Sequence, residues 1–71
     1  MARRSTPEHL REAHRSALRY TFTDRGCQLE GVDRAIGAWE ADAEGRGVDP
    51  YSDMLDAERR TFVEARLRAD S

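Results

Sequence analysis

The clearest pattern of apolar and polar positions lies in the middle third of the chain. Apolar side chains recur there at alternating intervals of three and four residues, at Leu29, Val32, Ile36, Trp39 and Ala43. This spacing places them along one face of an α-helix, in the a and d positions of a packed seam. The pattern predicts a helix over residues 28–44.

Glycines bear on the course and the end of this helix. Gly31 and Gly37 lie inside it, where a glycine costs about 1 kcal/mol relative to alanine. They indicate close packing against a neighbouring helix, or, for Gly31, a helix that begins only after it. Gly45-Arg46-Gly47 ends the helix, because two glycines around one residue favour a turn.

The first segment predicts a helix over residues 7–23. Its apolar face contains Leu10, Ala13, His14, Ala17, Leu18 and Thr21, and it is widened near the end by Tyr20 and Phe22. Two start signals are present. Ser5 with Glu8 fits a capping box, and Thr6 fits an N-cap with Pro7 in the first helical position. Gly26 is a natural stop.

The third segment predicts a helix over residues 50–69, with Leu55, Phe62, Ala65 and Ala69 on one face. Asp49 would cap it and Pro50 would take its first position. A second start is equally compatible with the sequence, since Asp56 can cap a helix that begins at Ala57. The region is then either one helix from Pro50 or a short turn followed by a helix.

These three segments predict an all-α fold, a small three-helix bundle or a helical hairpin plus a third helix. Residues 1–5 are expected to form a flexible tail and residues 6–69 a single helical domain. At 71 residues, such a domain buries only about 60% of its unfolded surface. Additional stability from a partner is therefore expected.

Charge changes the picture, because the twelve basic residues are all arginine and are segregated from the acids. Arg11, Arg15 and Arg19 fall on one face of the first helix, where like charges four residues apart repel. Something must offset that repulsion. The acidic second helix supplies the expected other half, in the same chain or in a second copy, at Glu30, Asp33, Glu40 and Glu44.

Candidate chemistry is sparse. His9 and His14 are five residues apart and do not converge on one metal. Cys27 lies beside a helix start, which can lower a thiol pKa, but no base is in register with it. The acids match no calcium loop. We therefore expect no enzyme, no cofactor, no metal and no small-molecule substrate.

The chain is expected to be cytoplasmic, since it has one cysteine, no apolar run after its basic start and no membrane-spanning segment. Lysine and asparagine are absent while arginine and alanine are abundant. This bias indicates a GC-rich bacterial or phage genome, and it makes the choice of arginine over lysine uninformative.

The remaining features predict a small protein-interaction module, an adaptor, inhibitor or regulator. Its partner is another protein or a second copy, with a homodimer formed through the complementary basic and acidic helices. Aromatic and arginine side chains dominate interface energetics. The predicted partner contacts are Arg11, Arg15, Arg19, Tyr20, Phe22 and Trp39.

The alternative function is a small helical DNA-binding regulator. Three short helices with tight turns fit such a domain, and the third helix carries arginines that can reach phosphates, at Arg59, Arg60, Arg66 and Arg68. Against it, the pI of the whole chain is about 5.6, well below the value above 9 that is typical of these domains.

Overall fold

The computed structural model describes residues 6–69, and three helices form their framework: α1 (Glu8–Asp24), α2 (Leu29–Gly45) and α3 (Asp56–Ala69). The helix α2 packs against both of the others. The prediction of an all-α three-helix bundle is confirmed. The tail predicted for residues 1–5 and the capping box of Ser5 lie outside the described residues.

The start of α1 differs from the expected one. Pro7 occupies the N-cap position and no side chain caps the helix. Thr6 is not the cap, because its hydroxyl donates a 2.6 Å hydrogen bond to the carboxylate of Asp49 and its backbone N–H donates to the same oxygen. A residue expected to act locally therefore ties the start of α1 to the segment between α2 and α3.

The turn between α1 and α2 depends on one glycine. Gly26 has φ of +96°, a left-handed conformation that costs glycine little and other residues more. The N–H groups of Gly26 and Cys27 donate back to the carbonyls of Thr23 and Phe22, which closes α1. The end of the first helix that the sequence predicted at Gly26 is thus confirmed, since α1 ends at Asp24.

The helix α2 begins at Leu29, so it includes Gly31 rather than starting after it. A Cβ added at Gly31 would lie 3.6 Å from the side chain of Leu67 in α3, whereas one at Gly37 would meet nothing within 4 Å. Gly31 therefore lies at a contact with α3 where a Cβ would also fit at ordinary van der Waals distance, and Gly37 lies at no such contact with a described residue.

The core lies where α2 meets its two neighbours. Its buried members are Leu18, Phe22, Val32, Ala35, Ile36, Trp39, Ala43 and Val63. Four of the five seam positions predicted for α2 belong to it. The exception is Leu29, which is half-exposed because it is the first residue of the helix.

The segment between α2 and α3 is a turn followed by a 3₁₀ turn at Asp53–Leu55, so the prediction of one helix over 50–69 is wrong. The carbonyl of Pro50 explains the break, because it accepts hydrogen bonds from the Trp39 indole N–H (2.8 Å) and the Arg59 guanidinium (2.9 Å). An oxygen used by these side chains does not accept the backbone bond of a continuing helix. The alternative start near Asp56 is the observed one.

Candidate interaction surface

The arginine stripe of α1 faces the acidic stripe of α2 in the same chain. The Nε atoms of Arg15 and Arg19 each donate a 2.7 Å hydrogen bond, to Glu40 and Asp33 respectively. Arg11 pairs with Glu44 at 3.5 Å. Glu30 forms no ion pair with any described residue.

Acids of α1 itself complete the network. Glu8 lies 2.8 Å from Arg15, and Glu12 lies 2.8 Å from Arg19. These contacts and those from α2 offset the repulsion between the stacked arginines. They also occupy the guanidinium groups that the sequence assigned to a partner.

Tyr51 anchors the buried side of this network. Its ring is 1% exposed, and the guanidinium carbons of Arg11, Arg15 and Arg59 lie 5.4–5.6 Å from the ring centre. Its hydroxyl donates to Glu40, and His14 stacks on the ring at 5.6 Å. Burial and the adjacent Glu40 carboxylate raise the pKa of Tyr51. The cluster is therefore a structural element between α1, α2 and the loop, in which most polar groups are paired and the Nε of Arg11 is buried without a hydrogen-bond partner among the described residues.

Two partly buried carboxylates make this region sensitive to acid. Burial raises the pKa of Glu40, but hydrogen bonds from Arg15 and Tyr51 outweigh burial and hold the pKa below its ordinary value of 4.5. Burial likewise raises the pKa of Asp49, but bonds from Thr6 and the Tyr51 N–H hold it below 3.8. Both groups favour their charged forms in the folded protein.

We expect the free energy of unfolding to be nearly constant between about pH 5 and about pH 9 and to fall as the pH drops through the carboxyl range. A carboxylate whose pKa is lower in the folded state contributes stability above its unfolded pKa and loses it on protonation in the folded state. Urea denaturation at several pH values measures this dependence. Glu40→Gln should flatten the pH dependence of the free energy of unfolding, and Glu30→Gln should not. Equal curves for wild type and Glu40→Gln would show that Glu40 does not cause the loss of stability in acid.

The structure places the other predicted partner contacts differently. Phe22 is 4% exposed and Trp39 is fully buried, so both belong to the core. Tyr20 is 74% exposed. Tyr20 is two residues from each of the buried Leu18 and Phe22. Helical spacing therefore places it on the outer side of α1.

The four arginines predicted for the alternative nucleic-acid surface differ in exposure and in ion pairing. Arg59 is 1% exposed and donates to backbone carbonyls and to Asp56, so it offers no surface to a phosphate. Arg60 is exposed and lies 3.9 Å from Asp56. Arg68 is exposed and pairs with Glu64 at 3.0 Å. Arg66 is exposed and forms no ion pair within residues 6–69.

Sequence reasoning missed a cluster of charge that the topology creates. In an up-down-up bundle the end of α1, the start of α2 and the end of α3 lie together. They carry Arg25, Arg34, Arg66 and Arg68, which we call the basic end. The first three form no ion pair among the described residues, whereas every other arginine in residues 6–69 forms one.

A cleft of about 460 Å³ opens at the basic end. Its lining combines two guanidinium groups with a thiol and an apolar side chain, from Arg25, Gly26, Cys27, Gln28, Gly31, Arg34 and Leu67. Arg25 lies over the Phe22 ring, with its guanidinium carbon 5.3 Å from the ring centre. Cys27 is half-buried. The cleft thus presents positive charge beside apolar surface, which suits an acidic segment with apolar side chains.

Neither a cluster of metal ligands nor a membrane-spanning helix is present in the described part of the chain. Its His, Cys, Asp and Glu side chains form no group of three that could hold a metal ion. His14 is half-buried and His9 is exposed. None of the helices there is both long and apolar enough to cross a bilayer.

Comparison with protein-family models, with curated proteins and with solved structures gives no match to this chain. Function is therefore inferred from the geometry of the chain itself.

Proposed function

We propose that this chain is a non-enzymatic protein-binding module that recognises an acidic segment of a partner protein through its basic end. The observation that supports this most strongly is the distribution of arginine partners. Within residues 6–69, the arginines that form no ion pair, Arg25, Arg34 and Arg66, all lie at that end. The cleft at that end is lined by Arg25 and Arg34 and, in the described part of the chain, by no acidic residue, and such local positive charge steers an acidic partner and fixes its orientation.

This proposal moves the interaction surface away from the arginine stripe. Arg11, Arg15 and Arg19 are held by acids of their own chain. A homodimer that pairs α1 of one copy with α2 of another would first have to break these contacts. The stripe is better described as an internal support for the fold, and the basic end as the surface left for a partner.

A protein partner is favoured over nucleic acid by the lining of the cleft. It places apolar surface from Leu67 and Cys27 next to the guanidinium groups. Apolar surface beside charge suits a protein side chain, whereas phosphate contacts require charge and hydrogen-bond donors alone.

Fluorescence anisotropy with a labelled oligoglutamate peptide and with a labelled duplex DNA tests the proposal. We expect the peptide to bind the wild-type chain, and Arg25→Gln with Arg34→Gln to weaken it about tenfold, the equivalent of 1.4 kcal/mol. Arg46→Gln is the matched control, because it removes an exposed arginine from the opposite end. Tighter binding to DNA than to the peptide, or equal loss in the control, overturns the proposal.

A further inference from the structure

A groove separates α1 from α3, because both helices pack on α2 rather than along each other. A cavity of about 270 Å³ marks it. Its walls come from both helices and the residue after α1, with Thr21, Phe22 and Arg25 on one side and Ala57, Arg60, Thr61 and Glu64 on the other. Arg25 also lines the cleft at the basic end, so the groove and the cleft form one continuous surface.

The α3 side of the groove has the spacing of a helix-packing face. Ala57, Thr61, Glu64 and Arg68 follow one another at intervals of four, three and four residues, and each lines the groove or the cavity that adjoins it. Ala57 and Thr61 are small and exposed. Small residues on an exposed helix face let a second helix approach closely.

Apolar surface and arginine side chains lie together in the groove. The adjoining cavity of about 190 Å³ is lined by Phe22, Cys27, Leu67 and Glu64, between Arg25 and Arg68, and Glu64 pairs with Arg68. Arg60 lies on the rim of the α1–α3 cavity. An occupant of matching chemistry has apolar side chains on one face and carboxylates beside them.

We infer that the partner segment is an amphipathic acidic α-helix that lies in this groove as a fourth helix of the bundle, an inference that rests on the proposed function. Apolar side chains on one stripe of that helix contact the half-buried Cys27 and Leu67, and a flanking carboxylate pairs with Arg25, the rim arginine that forms no ion pair among the described residues. The face from Ala57 to Arg68 spans about 16 Å at 1.5 Å per residue. It therefore accommodates about three turns of helix.

Two labelled probe peptides of identical composition, built from leucine, alanine and glutamate, test this inference. One places its leucines at helical intervals of three and four residues, and the other distributes them around the helix. We expect the amphipathic peptide to bind about tenfold more tightly in fluorescence anisotropy, since only it presents a continuous apolar stripe to the groove.

A pair of glutamate substitutions locates the binding site. Thr61→Glu puts a negative charge in the groove and should weaken the amphipathic peptide about tenfold. Ala41→Glu is the matched control, because it makes the same charge change at a small exposed position of α2 that lines none of these cavities. Far-UV circular dichroism of both variants confirms that they fold, and a second groove variant, Ala57→Glu, replaces Thr61→Glu if that chain does not.

The outcomes separate the two proposals. Equal affinity for both peptides, lost on Arg25→Gln with Arg34→Gln, overturns the helical occupant and leaves the proposed function standing. Tighter binding of the amphipathic peptide that neither groove variant weakens overturns its placement between α1 and α3. Binding of neither these peptides nor oligoglutamate overturns the proposed function and this inference together.

Discussion

Replacing Arg59 with methionine is expected to lower the free energy of unfolding by about 3 kcal/mol, a large part of the total for a domain of this size. The Arg59 side chain is 2% exposed, and its guanidinium donates to the carbonyls of Pro50 and Ser52 and to the carboxylate of Asp56. Methionine keeps much of the apolar stem and removes every one of these hydrogen bonds. Urea denaturation followed by far-UV circular dichroism measures the loss.

The neighbouring Arg60 provides the control. Its side chain is 60% exposed, so Arg60→Met should change the free energy of unfolding by less than about 0.5 kcal/mol. Arg59→Lys should be intermediate, since a lysine keeps the charge but lacks the planar fork that reaches several acceptors at once. Equal effects of the two methionine substitutions would show that the buried guanidinium does not hold the turn before α3.

The second large effect is expected from reversing charge in the stripe of α1. Arg11→Glu with Arg15→Glu turns the contacts to Glu44, Glu40 and Glu8 from attractive to repulsive. The Arg15 side chain is only 18% exposed, so screening by water is incomplete. We expect a loss of about 3 kcal/mol in the free energy of unfolding.

Two comparisons show whether that loss comes from broken intrachain pairs. Arg25→Glu with Arg34→Glu makes the same change in net charge at the basic end, and should shift stability by less than about 0.5 kcal/mol. Adding Glu40→Arg to the single variant Arg15→Glu should restore part of what that variant loses, because it recreates the pair with its charges exchanged. If the stripe and basic-end variants unfold at the same urea concentration, the stripe does not hold α1 against α2.

The sequence allowed the charge network to be predicted because its cause is local. Arginines four residues apart on one helix face repel, and that cost requires acids nearby. The face of α2 carries the largest number of carboxylates that could pair with these arginines. Three of the four acids predicted on it do pair with the stripe. Whether these acids belong to the same chain or to a second copy depends on how the helices pack, and a local sequence pattern does not determine that.

Contacts between distant residues account for what the sequence did not reveal. Thr6 and Asp49 are both good helix caps by type, but Thr6 instead donates to Asp49 across 43 positions, and Asp49 also accepts from the Tyr51 N–H in a turn rather than at a helix start. Arg59 was expected at the surface because arginine is almost never fully buried without partners. Its partners include carbonyls of the irregular loop before α3, and their positions depend on the tertiary fold.

The basic end was missed for a different reason. Arg25 and Arg34 flank the first turn, and Arg66 lies in the last turn of α3. An up-down-up bundle brings these positions together, so the predicted topology already implied the cluster. The net charge of whole helices conceals the cluster, because α2 is acidic overall and Arg34 lies within it.

Mapping the backbone amide NMR shifts of the wild-type chain during titration with the amphipathic acidic peptide tests the central claim most directly. That claim is that the arginines of the stripe are paired with acids of their own chain and the basic end is left for a partner. We predict shifts concentrated around Arg25 and Arg34 and along α3 from Ala57 to Arg68, with little change around Arg11, Arg15 and Arg19. Shifts concentrated on the stripe, with the basic end unaffected, would contradict the account.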